Sequence, residues 1–503
     1  MPYSHRLQAL ALGMSAPSLA SLALASVSLA SLPFASGRAQ AETLQQALVR
    51  AYQSNPTLTA ARAGQRAIDE NVPLAKAEGR PSAGLTGTYE EILKRPYYGY
   101  TATPARSLTG QAQLSVPIYQ GGTVRNRIKS ADASVQAGQQ TLRATEASVF
   151  SAVVAAYMDV LRDTAVVSYN RQNVTSLETN WQASRDRFEV GDLTRTDVAQ
   201  SESRLALARA SLLSAQAQLI TSKENYISLV GSEPAGLETP PSLPGMPETA
   251  EQAVEVALKD NPDILAAQHN RSAAHYDVNA ARGLVGPRLS AVASGSYTDY
   301  LNSEKDLSIP LGYGSVRQAS AGVQMSIPLY QGGQPGAQSR QNIARESQAI
   351  ENEIATERDV IAQTRSAYAA WQASLHMIES TRTAISSGEL SLEGVRAENS
   401  VGTRTILDIL DSQRDLLNAQ VQHVTAQRDA YVAGFALLAA MGHAQAADLN
   451  LDTGGPLYDP TENYRRVRGK LLDFDFGNRP QPQAPRTVAT TPQSADEEAV
   501  APR

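Results

Sequence analysis

Apolar and polar residues alternate strictly from Leu108 to Val116. Leu108, Gly110, Ala112, Leu114 and Val116 share one face, and Thr109, Gln111, Gln113 and Ser115 share the other. The same period returns where Ala319, Ala321, Val323, Met325 and Ile327 are set against Ser320, Gly322, Gln324 and Ser326. A partner run precedes each, through Leu85, Gly87 and Tyr89 and through Leu289, Ala291, Ala293, Gly295 and Tyr297. A period of two marks strands, so a two-stranded hairpin is predicted at about 82–118 and another at about 288–329. Their tips carry Tyr97, Tyr98, Tyr100, Tyr300 and Tyr313. Strands of about ten residues with one small apolar face and one polar face suit a transmembrane barrel. A half-buried soluble hairpin carries the same pattern, and both readings stay open at this point.

Beyond each hairpin the period turns helical. Residues 123–190 and 334–401 contain no proline except Pro335 and almost no internal glycine, so each is predicted to be one helix of about 100 Å. These helices stop at Val190-Gly191 and Val401-Gly402. Return helices follow at about 195–231 and 405–442. Val198, Leu205, Leu212, Leu219 and Tyr226 recur at sevens, beside Ala206, Leu213, Ile220 and Ile227, and so do Leu410, Leu417, Val424, Tyr431 and Leu438. Such heptads specify coiled-coil packing. Shorter helices begin at the capping boxes Thr43-x-x-Gln46 and Thr249-x-x-Gln252, break at Asn55-Pro56 and Asn261-Pro262, and end at Pro81 and Pro287. Two half-length helices stacked end to end match one long helix.

These elements occur twice. "SVPIYQGG" at 115–122 returns as "SIPLYQGG" at 326–333, an offset of 211 that also carries Gly191 onto Gly402, Asp197 onto Asp408 and Gly231 onto Gly442. Upstream the offset is 206, so the length difference falls in the hairpin. Loops tolerate such changes and packed elements do not. The chain therefore divides into a leader (1–41), repeat 1 (42–231), a connector (232–247), repeat 2 (248–442), an equatorial extension (443–470) and a Pro-, Gln- and Thr-rich tail (471–503) expected to be disordered. In each repeated phrase, Pro117 or Pro328 is expected to end the strand ladder and Tyr119 or Tyr330 to sit at the membrane-water boundary. Gly121-Gly122 and Gly332-Gly333 would turn strand into helix.

Composition narrows the class. Six Phe, two Trp and no Cys leave little material for a large globular core and exclude disulfides. A net charge of −6 with scattered cations argues against nucleic acid. The basic start, the apolar run and Ala39-Gln40-Ala41 read as an export signal cleaved before Glu42. No later run of 18 apolar residues spans a bilayer as a helix, so any crossing is by a barrel. Four strands cannot close one, so copies must share it, and three copies give twelve strands with a lumen. The histidines (His5, His269, His275, His376, His423, His443) have no metal-ligand spacing, "VRGK" at 467–470 lacks the upstream glycine of a phosphate loop, and no cofactor or enzyme activity is expected. Thr194-x-x-Asp197 and Thr405-x-x-Asp408 read as caps with an acid in the first turn. Asp408 and Asp411 share a helix face, whereas Gln200 stands where Asp411's repeat partner would be.

The paired "PIYQGG" and "PLYQGG" junctions, the paired Asn-Pro breaks and "SVGTRTILDILDSQRDLLNAQ" at 400–420 resemble the TolC family of outer-membrane efflux and secretion channels over about residues 42–470. "LYDPTENYRRVRG" at 457–469 is similar to a piece found in channels of type I secretion. The resemblance implies a mixed fold, a coiled-coil bundle plus β-barrel strands. In it a homotrimer forms a 12-stranded outer-membrane barrel and a 12-helix periplasmic tunnel. It implies aspartate rings at the closed tip, here Asp408 and Asp411; six carboxylates in a narrow throat concentrate cations, so cation preference and block by trivalent metal ions are expected. It implies that Arg404 bonds across chains to Thr196 and Asp197. Where the family has Tyr just before the motif, tied to the same aspartate, this chain has Asn399, whose amide retains a hydrogen-bonding group. The turns at Val190-Gly191 and Val401-Gly402 would receive a periplasmic adaptor (membrane fusion protein) that couples to an inner-membrane ABC or RND pump. Drug or metal efflux is the alternative to type I secretion. A non-conducting trimeric coiled-coil scaffold or adhesin is the alternative of another class.

Overall fold

The computed structural model describes residues 42–94, 104–303 and 314–495. The expected leader, Tyr97, Tyr98, Tyr100, Tyr313 and residues 496–503 lie outside them. Repeat 1 contains α1 (Leu44–Ser54), α2 (Pro56–Asp69), α3 (Asn71–Ala77), β1 (Ser82–Glu91), β2 (Arg106–Gln120), α4 (Thr123–Glu189) and α5 (Arg195–Val230). Repeat 2 contains α6 (Ala250–Asp260), α7 (Pro262–Arg282), β3 (Arg288–Asp299), β4 (Ser315–Ser326), α8 (Gln334–Ser400) and α9 (Ile406–Ala440), and α10 (Pro460–Val467) follows. Both α4 and α8 are 67 residues long, about 100 Å each.

The Asn-Pro breaks splice helices. The Asn55 side-chain oxygen accepts from Thr57 N and Leu58 N at the start of α2, while its Nδ2 donates to Leu229 O in the last turn of α5, 2.9 Å away. Asn261 repeats this, accepting from Asp263 N and Ile264 N and donating to Ala440 O at 2.8 Å. Each asparagine thus satisfies orphan donors of one helix and an orphan acceptor of another. The paired ends are also opposite poles of two helix dipoles, which favours their abutment. The result is a spliced column, α5 to α2 or α9 to α7, lying alongside a continuous helix. Gly442 is required at the second splice: its φ is +83°, and a Cβ there would lie 2.3 Å from Asp260 O.

The splices are not identical. The expected helix from Pro56 to about residue 80 breaks at Glu70, whereas α7 runs unbroken to Arg282. Pro73 is the cause, because it has no N–H for the carbonyl of Asp69 and its ring crowds that carbonyl. At the N-termini, Thr43 and Gln46 close the box reciprocally, but Gln252 Oε1 accepts from Glu248 N, one residue short of closing it.

The four strands form one antiparallel sheet in the order β1-β2-β3-β4. Its register makes continuous rows across all four strands. Leu85, Ala112, Gly295 and Ala319 align, as do Ala83, Leu114, Ala293 and Ala321; the other face aligns Gly84, Gln113, Ser294 and Ser320, and Thr86, Gln111, Ser296 and Gln318. Hydroxyl pairs Ser294–Ser320 and Thr109–Thr298 cross-link the polar face. The apolar face is bare, with Leu85, Leu114, Val323 and Met325 exposed.

The main core lies where the splices meet the middle of α4. Phe150, Tyr157, Tyr226 and Phe435 are buried there among Leu44, Leu48, Val153, Val154 and Leu438. The most apolar stretch of α4, long enough to cross a membrane, includes this segment and is half buried inside the protein. Leu237 and Leu243 from the connector pack on the same core. Of the two heptad series on α5, Leu205, Leu219, Tyr226 and Ile227 are buried, whereas Ala206 and Leu213 are exposed.

Two expectations are corrected here. Past the equator the extension climbs, and α10 docks on the upper helices through Asn463 to Asp69, Tyr464 to Asp132 and Lys76 to Arg468 O. Residues 485–494, within the expected tail, are not free of the helices. Pro485 covers Gly231, Thr491 N donates to Glu233, Gln493 N donates to Glu224, and Lys223 Nζ donates to Ser494 O. The prolines of this segment disfavour an α-helix, and its backbone N–H groups instead reach Glu224 of α5 and Glu233 of the connector.

Asn55→Ala and Asn261→Ala are each expected to cost about 1–3 kcal/mol, the loss of a cap plus an unsatisfied carbonyl. Asn55→Ser caps but is too short to reach Leu229, and its melting temperature should fall between those of the parent and Asn55→Ala. A serine variant equal to the parent would show that the donor to Leu229 contributes nothing.

Candidate functional site: the helical tips and the strand-to-helix joints

At the far end from the sheet, α4 turns into α5 and α8 into α9. Gly191 has φ +89° and Gly402 φ +81°, the left-handed conformation that ends a helix without a Cβ penalty. Asp192 N donates to Arg187 O at 2.9 Å, and Thr403 N donates to Glu398 O at 3.0 Å, closing the two turns alike. Val190 and Val401 stand beside them 75% and 74% exposed. Two apolar side chains are therefore presented on matching rigid turns.

Both return helices open with complete capping boxes. Thr194 Oγ1 and N donate to Asp197 Oδ2 at 2.7 and 2.9 Å, and Thr405 does the same to Asp408 Oδ2 at 2.8 and 2.9 Å. The threonine hydroxyl, and then the backbone N–H, hold each carboxyl below the usual aspartate range. This cap stability is present above the unfolded value and is lost as pH falls through the lowered folded value.

Asp408 and Asp411 share one face of α9, but neither is bare. Arg404 Nη1 lies 3.8 Å from Asp408 Oδ1, and Arg204 Nη2 of α5 lies 3.1 Å from Asp411 Oδ1, with Arg414 Nη1 at 3.8 Å. Arg204 was not among the expected site residues. Its repeat partner at the 211 offset is Asp415, so a charge reversal at equivalent positions was the available signal. Beneath this pair Leu410 is buried among Val174, Leu177, Leu205 and Ala208, fixing α9 against α4 and α5.

The remaining tip residues are engaged locally within one chain. Arg404 Nε donates to Glu398 Oε2 at 2.8 Å, and Thr196 is exposed beside Asp197. Asn399 Nδ2 donates to Arg404 O at 2.7 Å. Its short amide clasps its own turn, where a longer tyrosine would project, and the expected tie to Asp197 is not made within the chain.

At the other end, Gly121 and Gly122 have φ of +64° and +81°, and Gly332 and Gly333 +61° and +80°. Two successive left-handed residues make the sharp turn from strand to helix. The expectation that Pro117 ends the ladder is corrected: β2 runs on to Gln120, with a bulge between Pro117 and Tyr119 that accommodates the missing donor. Pro328 does lie beyond its strand, since β4 ends at Ser326. Tyr119 is half exposed and Tyr330 almost fully so.

A family model described as "Outer membrane efflux protein" matches residues 28–232 and 253–443. The chain is 36% identical over 434 residues to outer membrane efflux protein BepC of Brucella suis, covering 86% of this chain and 92% of that protein. It is 27% identical over 430 residues to outer membrane protein TolC of Escherichia coli, covering 82% and 85%. Among solved structures, the outer membrane protein VceC of Vibrio cholerae superposes with a TM-score of 0.68 at 22% identity, covering 79% of this chain and 96% of that one. The duplicated helical column, the four-stranded sheet and these matches agree: the chain belongs to the outer membrane efflux protein family, whose members are outer-membrane channels of the TolC type and not enzymes.

Proposed function

We propose that three copies of this chain form a passive exit duct, a 12-stranded barrel continuing into a 12-helix periplasmic tunnel, for a tripartite transport system. The observation that carries this reading is the open four-stranded sheet at one end of a helical column, with a continuous apolar face and two free edges. In lipid each unpaired backbone group costs several kcal/mol, so β1 of one copy must pair with β4 of the next. The joints support the same closure. Gly121 is pressed so closely on Gly283 O that a Cβ would lie 2.2 Å from it, while nothing lies within 4 Å at the equivalent Gly332. The repeat relation makes α3 of the neighbouring copy the natural cover for Gly332.

The tip is the gate. Asp408 and Asp411 of three chains would make two rings of carboxylates, with Arg404 free to exchange Glu398 for Thr196 and Asp197 across a chain boundary. The turns at Val190-Gly191 and Val401-Gly402 are the docking points for a periplasmic adaptor linked to an inner-membrane ABC or RND pump. For cargo, we favour type I protein secretion, supported by the 457–469 segment and its docking on α2 and α3. Efflux of small molecules is the second reading, favoured by the name of the Brucella relative.

Reconstituted protein is expected to give unitary, cation-preferring conductance that trivalent metal ions block, and a non-conducting scaffold would give none. Asp408→Ala combined with Asp411→Ala should abolish the block; a double variant blocked as readily as the parent removes the ring assignment. Because the Thr405 hydroxyl and N–H hold the Asp408 carboxyl below the usual aspartate range, block should persist to lower pH than an uncapped aspartate would allow before it fades. Thr405→Val should move that fading to higher pH, and an unmoved pH profile would separate the blocking site from Asp408.

A further inference from the structure

The residue that follows the Ala39-Gln40-Ala41 motif is Glu42, and it is one of the most enclosed polar residues in the chain, 2% exposed. Its surroundings form a complete seat. Glu42 pairs as a parallel bridge with Leu237 of the connector. Its N lies 3.0 Å from Ala235 O and 3.1 Å from Gly236 O, and its O accepts from Glu238 N at 3.1 Å. The Tyr157 hydroxyl sits 2.8 Å from Glu42 O and 2.6 Å from Glu238 O. On the side chain, Oε1 accepts from Arg50 Nη1 at 3.0 Å and from the Tyr226 hydroxyl at 2.8 Å, and Oε2 accepts from Ala235 N at 3.4 Å. Tyr157 and Tyr226 have no exposed surface, and burial, with the nearby Glu42 carboxylate, raises both phenols well above their ordinary value.

This seat offers more acceptors than a peptide nitrogen can use. A backbone amide has one N–H, which two carbonyls at 3.0 and 3.1 Å must share. A terminal ammonium has three, and charge-assisted bonds are about twice as strong as neutral ones. A buried cation also needs a nearby anion, and the enclosed Glu42 carboxylate provides it.

We infer that the α-amino group freed when a signal peptidase hydrolyses the Ala41–Glu42 bond is a structural part of the exported protein, seated on the carbonyls of Ala235 and Gly236. In the cleavage, the oxygen of one water goes to Ala41 as its carboxylate, and the two hydrogens go to the Glu42 nitrogen, which becomes the ammonium. Glu42, as the new terminal residue, then holds four separate pieces of the equator together: α1 through Arg50, the middle of α4 through Tyr157, the end of α5 through Tyr226, and the connector. Processing would thus complete the packing of the equator as well as release the leader.

The test uses the exported, full-length protein in detergent. Intact mass should place the N-terminus at Glu42. Reductive dimethylation of the folded protein should label the Glu42 amine at least tenfold more slowly than exposed Lys259, and the difference should vanish in denaturant. A Gly-Ser insertion between Ala41 and Glu42 keeps the cleavage motif but restores an amide at Glu42, and it should lower the melting temperature or block assembly. An N-terminus elsewhere, an amine labelled as fast as Lys259, or an extended protein that melts with the parent would each overturn the inference. The labelling arm is read on the unmodified protein, so it decides the matter even if the extended variant fails to assemble.

Discussion

The architecture depends on one hydrogen-bonded splice made twice. A helix end buried without partners leaves carbonyls or N–H groups stranded, and stacking two helices end to end buries both kinds at one point. Asn55 and Asn261 resolve this with opposite ends of one amide, the oxygen facing the helix that begins and the nitrogen facing the helix that ends. No other short side chain carries a donor and an acceptor in that fork. Proline at the following position costs nothing there, because its missing N–H would have been an orphan. With the splice in place, the 35-residue α9 and the 21-residue α7, from different parts of the sequence, become one column that lies alongside the 67-residue α8.

The duplication gives two units that are alike in sequence and unlike in surroundings. α7 of repeat 2 lies against α4 of repeat 1 and against α8, and Thr123 Oγ1 donates to Ala280 O across that boundary. Repeat 1 supplies no such neighbour to the outer side of α8, which is exposed along most of its length. A molecule built from two equivalent units that satisfies one boundary internally leaves the other boundary as its complement. This is the structural form of a ring made by repetition, in which the same joint occurs once within a chain and once between chains.

Much of this was legible in the sequence, for definite reasons. Long proline-free runs ending in glycine gave α4 and α8, and strict alternation gave the four strands, because each pattern is tied to a backbone period. Other features were hidden. Pro73 sits only two residues inside α3, where it reads as an ordinary early-helix proline, and its effect on Asp69 depends on the helix before it. The strap at 485–494 is held by backbone donors that no side-chain pattern announces. Leu213 keeps heptad spacing yet is exposed, since periodicity marks a face that needs a partner and does not say whether that partner is in the same chain. Arg204 was missed because pairing between α5 and α9 depends on their rotation about each other, which Leu410 sets from below.

The salt bridge from Arg204 changes how the tip has to be understood. A ring of bare carboxylates would repel itself, and closing three chains around it would be opposed by every added charge. Arg204 offsets the charge of Asp411, whereas Thr405 keeps Asp408 ionised, with Arg404 3.8 Å away as its nearest cation. In the proposed ring, repulsion among the chains would therefore come chiefly from Asp408, and the carboxylate oxygens left over would be the acceptors for a cation. In the proposed gate, a rotation of α9 relative to α5 that separated the two helices would break the Arg204–Asp411 contact and leave Asp411 with Arg414 of its own helix. If the proposed tip opens by such a rotation, the loss of Arg204 from Asp411 would strengthen the negative field as the passage widens.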